Sequence, residues 1–406
     1  MIFIKQPSTT VDGGKARLSA HIVVDGAERL LYVDVDKRYA QFLCYERSDA
    51  FILGLLHFAM QYGHDITSEA PMTSRLYLQL TEQFLPAFAK LNGLTRSDNK
   101  NGNGGWHVKI YAPLAPEIEH PDGGNAIGTG CSCGVDSMHV YAAHPAITHG
   151  CVWNVHGITH DETNDTRNIG WANLLRQARE FSSEVGVELV VGDSNYDRGC
   201  FEDLRFDGRI SYGNLFFIFA LQKLWSRYYV ASGYDIAGFD MSGGLLSDPA
   251  HYEWVLFAFC SLSYITVAID GVDRPRIEKI VALVKYPLSK RFLNVCWNIN
   301  ATGRNCSYLC AKCMRTMLEL WCTGVLDQYG TIFDVQYFKR HKHEYLAEYY
   351  RCLLHGDEYA REMRPYIRRK KIALRVKVLA CVIVIKKILR KCLRGGRRDV
   401  SRFSPR

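Results

Sequence analysis

The chain has 406 residues, 48% hydrophobic and 23% charged, which excludes a disordered or fibrous protein and leaves room for two or three packed domains. The formal net charge of +8 is uneven: residues 361–406 hold 17 Lys or Arg against only Glu362 and Asp399, so the tail carries +15 and residues 1–360 carry −7. Met1–Thr10 has neither a long apolar core nor a cleavage site, and the longest apolar run of the tail, Val378–Ile385, spans eight residues where a membrane-crossing helix needs about 20. The body is therefore expected to be cytoplasmic, where 14 cysteines indicate thiols or metal rather than disulfides.

In chain order, Ala20–Val24 and Leu30–Val35 alternate apolar and polar residues, as half-buried strands do, around an Asp25-Gly26 turn. Ser48-Asp49 can cap a helix to about Tyr62, and Thr73 or Ser74 can start another that ends near Leu91. Ser97–Gly105 is a polar loop, so residues 1–105 are read as an N-terminal α+β domain. From 106 the pattern changes. Short apolar runs at 125–129, 151–155, 187–191 and 228–231 alternate with helical stretches at 136–143, 169–185 and 214–225. Such alternation predicts an α/β fold with a parallel sheet.

The segment Gly128–Ser137 follows a predicted strand and opens a predicted helix. Gly134 lets backbone approach a ligand, Ser132 and Ser137 offer hydroxyls, and the helix start offers unpaired N–H groups and partial positive charge. That combination suits an anion. No Gly-Lys-Ser/Thr follows, so it is not a Walker A loop, and it lacks the Rossmann glycine spacing.

Ser132-Cys133-Gly134-Val135-Asp136-Ser137 resembles the S-G-G-x-D-S signature of the PP-loop ATP pyrophosphatases at five of six positions, with Cys133 where glycine is usual. The resemblance implies a doubly wound parallel sheet of the HUP/PP-loop type over residues 106–325, ATP held by Ser132–Ser137, and transfer of AMP to a substrate with release of pyrophosphate. It makes Asp136 and Ser137 the catalytic candidates, with Asp136 either meeting Mg2+ or starting the helix. It also places His156, in the loop after the second strand, beside the adenine. Asp193 and Ser232-Gly233 fall at later strand ends, where open α/β sheets bind ligands. The alternative for each is a polar turn. Cys131 and Cys133 flank the loop, either as packing residues or as reactive thiols.

Cys296, Cys306, Cys310 and Cys313 follow the spacing C-x9-C-x3-C-x2-C in a turn-rich stretch. Four thiolates so placed can close a structural tetrahedral Zn2+ site; an Fe–S cluster is the smaller alternative. The cluster, with Arg315 after it, resembles the four-cysteine zinc site of the 7-cyano-7-deazaguanine synthases, which are PP-loop enzymes. That family implies a carbon–nitrogen ligase acting on an adenylated carboxylate or amide, with Asp248 in a substrate-facing segment. No glutaminase domain is recognisable, which leaves free ammonia, an amine or a partner enzyme as nitrogen source; a homodimer is allowed. Two other readings stay open: sulfur insertion into tRNA, and a nucleotide-binding scaffold without turnover.

Residues 326–406 are read as a helical region with a basic tail. Around residues 364–394 a cationic, apolar helix is expected, ending at Gly395-Gly396. It can lie on an anionic membrane surface, contact nucleic acid, or dock on the acidic body. Aromatics nearly vanish after Tyr366, which argues against base stacking.

Overall fold

The computed structural model describes residues 1–94, 107–155, 165–196, 209–245, 248–296, 305–308 and 310–393, and thirteen strands organise these described residues. The strands are β1 (Ile2–Ile4), β2 (Ser8–Asp12), β3 (Lys15–Val24), β4 (Ala27–Asp36), β5 (Ile66–Ser68), β6 (Met72–Thr73), β7 (Ile110–Tyr111), β8 (Leu114–Ala115), β9 (Ala126–Gly130), β10 (His149–Asn154), β11 (Glu188–Ser194), β12 (Trp225–Ala231) and β13 (Thr266–Asp270). Eleven of them form one mixed sheet in the order β13-β12-β9-β10-β11-β4-β3-β1-β5-β7, with β2 on β3; β6 and β8 pair separately.

The β3–β4 hairpin follows from its sequence. Asp25 and Gly26 both take left-handed backbone angles, φ 48° and 86°, as a two-residue turn matched to strand twist requires. The alternating residues Ala16, Leu18, Ala20 and Ile22 then all point into the core. The expected polar loop at Ser97–Gly105 lies outside the described residues. β4 pairs antiparallel with β11, Asp34 opposite Asp193 and Val33 opposite Ser194. The N-terminal α+β segment thus extends the same sheet as the later strands.

From β13 to β11 every neighbouring pair is parallel. In chain order β9 comes first and lies in the middle. The chain moves outward through β10 and β11, then returns to the other side of β9 for β12 and β13. The carboxyl ends of β9 and β12 therefore part at a topological switch point, where such sheets open a crevice. Gly128 holds the two strands close there, since a Cβ would stand 2.8 Å from both Trp225 and Tyr228.

Helices cover both faces. On one, Asp49–Tyr62 packs on Arg209–Ala220, and Leu215, Phe216, Phe217, Ile218, Phe219 and Ala220 are fully buried. A helix enclosed on all sides must be apolar on all sides. Each such large side chain contributes about 1.5–3 kcal/mol by leaving water. On the other face a second core joins Val135–Ala143, Asp165–Val185, Arg276–Leu283, Ala311–Thr323 and the C-terminal helices.

Two boundaries differ from the sequence reading. The helix expected at 214–225 is Arg209–Ala220, and Trp225 begins β12 instead. Leu224 N–H bonds back to Leu221 in a tight turn, and Trp225 is buried against β9. In the C-terminal region Glu358–Arg369 and Leu374–Leu393 are separate helices, both packed on Val335–Leu354. The Gly395-Gly396 stop lies outside the described residues. Among the described residues no helix is long and apolar enough to cross a membrane.

Candidate functional site

β9 ends at Gly130 and the helix Val135–Ala143 begins at Val135, so the four residues 131–134 between them turn at the switch point. Cys133 takes φ 56°, the left-handed region glycine favours. Cys133 thus holds a backbone conformation that glycine takes without strain, with its side chain buried. Gly134 is the N-cap in extended backbone, with no side-chain cap. Ser132 and Ser137 meet through their hydroxyls at 3.0 Å, and Gly134 N–H donates to Ser132 Oγ at 3.3 Å. Two hydroxyls and a helix N-terminus thus face one spot beyond the sheet.

Asp136 lies in the first helical turn. Its Oδ2 accepts from Arg276 at 2.8 Å, and its Oδ1 lies 3.5 Å from Lys279 Nζ. Lys279 also donates to the Ser232 carbonyl at 2.7 Å. One buried ammonium therefore ties the end of β12 to the loop helix across the switch point. Arg276 continues to Glu319 of the Ala311–Thr323 helix at 3.4 Å. Burial pushes the Glu319 carboxyl up, only partly offset by Arg276 and Arg315. Burial, then Arg315 and Arg276, hold the Lys312 ammonium down to about 8. Arg315 lies 3.9 Å over the ring of Tyr359, whose hydroxyl donates to the Gly233 carbonyl at 3.2 Å. Four cations and a C-terminal tyrosine thus gather beside the loop.

Ser232 and Gly233 are therefore beside the loop. Ser232 N–H donates to the Asp270 carbonyl at 2.9 Å, and its hydroxyl to the Tyr234 carbonyl at 2.6 Å. Asp193 stands at the end of β11, two strands from β9, about 10 Å across the sheet. Its carboxylate accepts from Asn154 at 2.7 Å and from the Ser194 N–H at 3.0 Å. Asp248 caps the turn Pro249–His251 by accepting from Ala250 N–H at 3.0 Å. That turn brings His251 onto the ring of Tyr234, 4.2 Å between centroids, so Asp248 sits behind the β12 end. His156 lies outside the described residues.

The Sγ atoms of Cys296, Cys306, Cys310 and Cys313 all lie within 4.8 Å of one another. A tetrahedral zinc with bonds of about 2.3 Å needs sulfurs about 3.8 Å apart; Cys310 and Cys296 are at 4.0 Å. Backbone N–H groups of Cys306 and Cys313 point at the sulfurs of Cys296 and Cys310, each at 3.4 Å, which favours thiolates. Cys310 also caps the Ala311–Thr323 helix, whose dipole stabilises negative charge. Asn305 braces the cluster, accepting from Val295 N–H at 2.9 Å and donating to the Leu293 carbonyl at 2.8 Å. The donor set fits a metal such as zinc and leaves no open position.

Sequence reasoning missed Arg276, Lys279, Lys312 and Tyr359. No local signal marks them, because they come from elements more than 130 residues beyond the loop. Comparison with protein-family models, with curated proteins and with solved structures finds no match to this chain.

Proposed function

We propose that the chain binds ATP at Ser132–Ser137 and adenylates a carboxylate or amide, releasing pyrophosphate, before a nitrogen nucleophile displaces AMP, as a ligase of the 7-cyano-7-deazaguanine synthase kind does. The observation that carries this reading is the convergence of buried Arg276 and Lys279 on the helix that follows the loop, at the switch point of a parallel sheet. A carboxylate resists attack until its oxygen becomes part of a good leaving group, and adenylation supplies one. The Ser132 and Ser137 hydroxyls and the first N–H groups of the loop helix donate to phosphate oxygens. Arg276 is taken up by Asp136 and Glu319, and Lys279, at 3.5 Å from Asp136, supplies fixed positive charge where charge develops on departing pyrophosphate. Asp136 orients both cations and would be the loop's carboxylate for Mg2+, which would neutralise phosphate charge.

Zinc at the cysteine cluster is read as structural: it fixes the start of the Ala311–Thr323 helix, which carries Lys312 and Arg315 toward the site. Sulfur transfer to tRNA fits less well, because Cys131 and Cys133 are 1% and 2% exposed and face the core. The test is product analysis with Mg-ATP and a panel of carboxylates. AMP and pyrophosphate that disappear in Asp136→Ala support the reading. ADP and phosphate would replace it with a plain ATPase, and retained ATP binding without turnover on any acceptor would favour the scaffold.

A further inference from the structure

The C-terminal helices carry a surface that nucleotide chemistry does not use. Leu374–Leu393 docks on Val335–Leu354 through buried Ala380 and Val384, and Lys387 reaches Glu348 at 3.6 Å. At 100° per residue, Leu374, Val378, Val382 and Ile385 lie on the side away from that contact. They are 76%, 51%, 38% and 54% exposed. Arg375, Lys377 and Lys386 flank them, and the sequence has no acidic residue from Met363 to Arg398.

Beside this face a cleft of about 340 Å³ opens between the last three helices. Arg364, Arg368, Lys370 and Lys377 line it together with Tyr350 and Ile372. Cations without a carboxylate call for an anion, and the adjoining outward aliphatic row calls for an apolar phase. A second copy would set two strongly cationic faces against each other, which repels. Nucleic acid would want stacking platforms, and residues 374–393 contain no aromatic side chain. An anionic lipid surface satisfies both demands.

We propose that the C-terminal helices hold the protein on an anionic membrane surface, with the outward row of Leu374–Ile385 entering the headgroup boundary and the cleft at Arg364 and Arg368 taking a lipid phosphate. The proposal is independent of the nucleotide reading.

The experiment is sedimentation of the full, metal-loaded chain with phosphatidylcholine vesicles, neutral or with about a third phosphatidylserine, at rising salt. Binding to the anionic vesicles alone, weakened by salt, is expected. Val378→Glu with Ile385→Glu should abolish it while metal content and melting temperature stay unchanged, because both side chains point outward. Arg364→Gln with Arg368→Gln should lower the partition coefficient about thirty-fold at low salt. Equal binding to neutral vesicles, or persistence in the glutamate variant, would overturn the proposal. So would lipid-free dimerisation that the glutamates abolish, tighter retention of RNA than of vesicles, or displacement from vesicles by low millimolar inorganic phosphate.

Discussion

Asn294 donates its backbone N–H to the carbonyl of Cys133 at 2.8 Å, joining the strap that leads into the cysteine cluster to the loop at the end of β9. Cys296 is two residues farther on, so the cysteine cluster and the proposed phosphate loop share one short piece of backbone.

Metal removal should therefore reach the loop. Structural zinc contributes on the order of 10 kcal/mol to small folding units. Cys310→Ser is expected to lose the metal, lower the melting temperature and weaken ATP binding together. Elemental analysis, thermal denaturation and calorimetry on one preparation check this. Full metal content in Cys310→Ser, or an apo protein of unchanged melting temperature, would count against it.

Cys133 offers a backbone test. A side chain in the left-handed region costs about 1 kcal/mol that glycine avoids. Cys133→Gly gives up the burial of a small thiol in exchange, so stability should change by less than about 1 kcal/mol and ATP affinity should hold. Cys133→Val, β-branched at φ 56°, should cost at least about 2 kcal/mol. Urea denaturation of the two variants separates these outcomes.

Arg276 compensates Asp136 and buried Glu319. Removing one partner of a buried ion pair costs about 3–5 kcal/mol. Arg276→Met should show a loss of that order in denaturant titration. Arg276→Met with Glu319→Gln should recover part of it, because neither oxygen of Glu319 has a hydrogen-bond partner. No recovery in the double variant would mean that Glu319 does not depend on Arg276.

Glu253 gives a pH signature away from the site. Burial raises its carboxyl from 4.5 to about 7, opposed by a hydrogen bond from Ser211. With the folded value above the unfolded one, the neutral form suits the fold. The cost of ionising it is absent below pH about 4.5, grows as pH rises, and is complete above about 7. Glu253→Gln should thus stabilise the protein increasingly from pH 5 to 8, by up to about 3 kcal/mol. Melting curves across that range would show a constant difference if the carboxyl ionised normally.

The β3–β4 hairpin, the strands β9 to β12, the loop and the cysteine cluster were legible because each is a local pattern, whereas the other seven strands, of two to five residues, were not. Alternation gave the β3–β4 hairpin, Asp25-Gly26 its turn, and close cysteine spacing the metal cluster. Trp225 misled because a hydrophobic residue after an apolar helix continues the pattern, whereas tertiary packing against Gly128 sets it on a strand. The cations around Asp136 were illegible for a different reason. Arg276 and Lys279 sit on the helix after β13, and only the order of strands brings that helix over the loop. Tyr359 reaches Gly233 from the C-terminal region in the same way.

The most direct test titrates Mg-ATP into the metal-loaded full chain and into its Lys279→Met variant, which keeps the aliphatic stem but not the charge that bridges Ser232 and Asp136. Saturable binding to the wild type and at least a ten-fold loss in the variant are expected, since a buried charge-assisted contact is worth about 1.5–3 kcal/mol. Absence of ATP binding to the wild type, or equal affinity in the two proteins, would contradict the proposed ATP site.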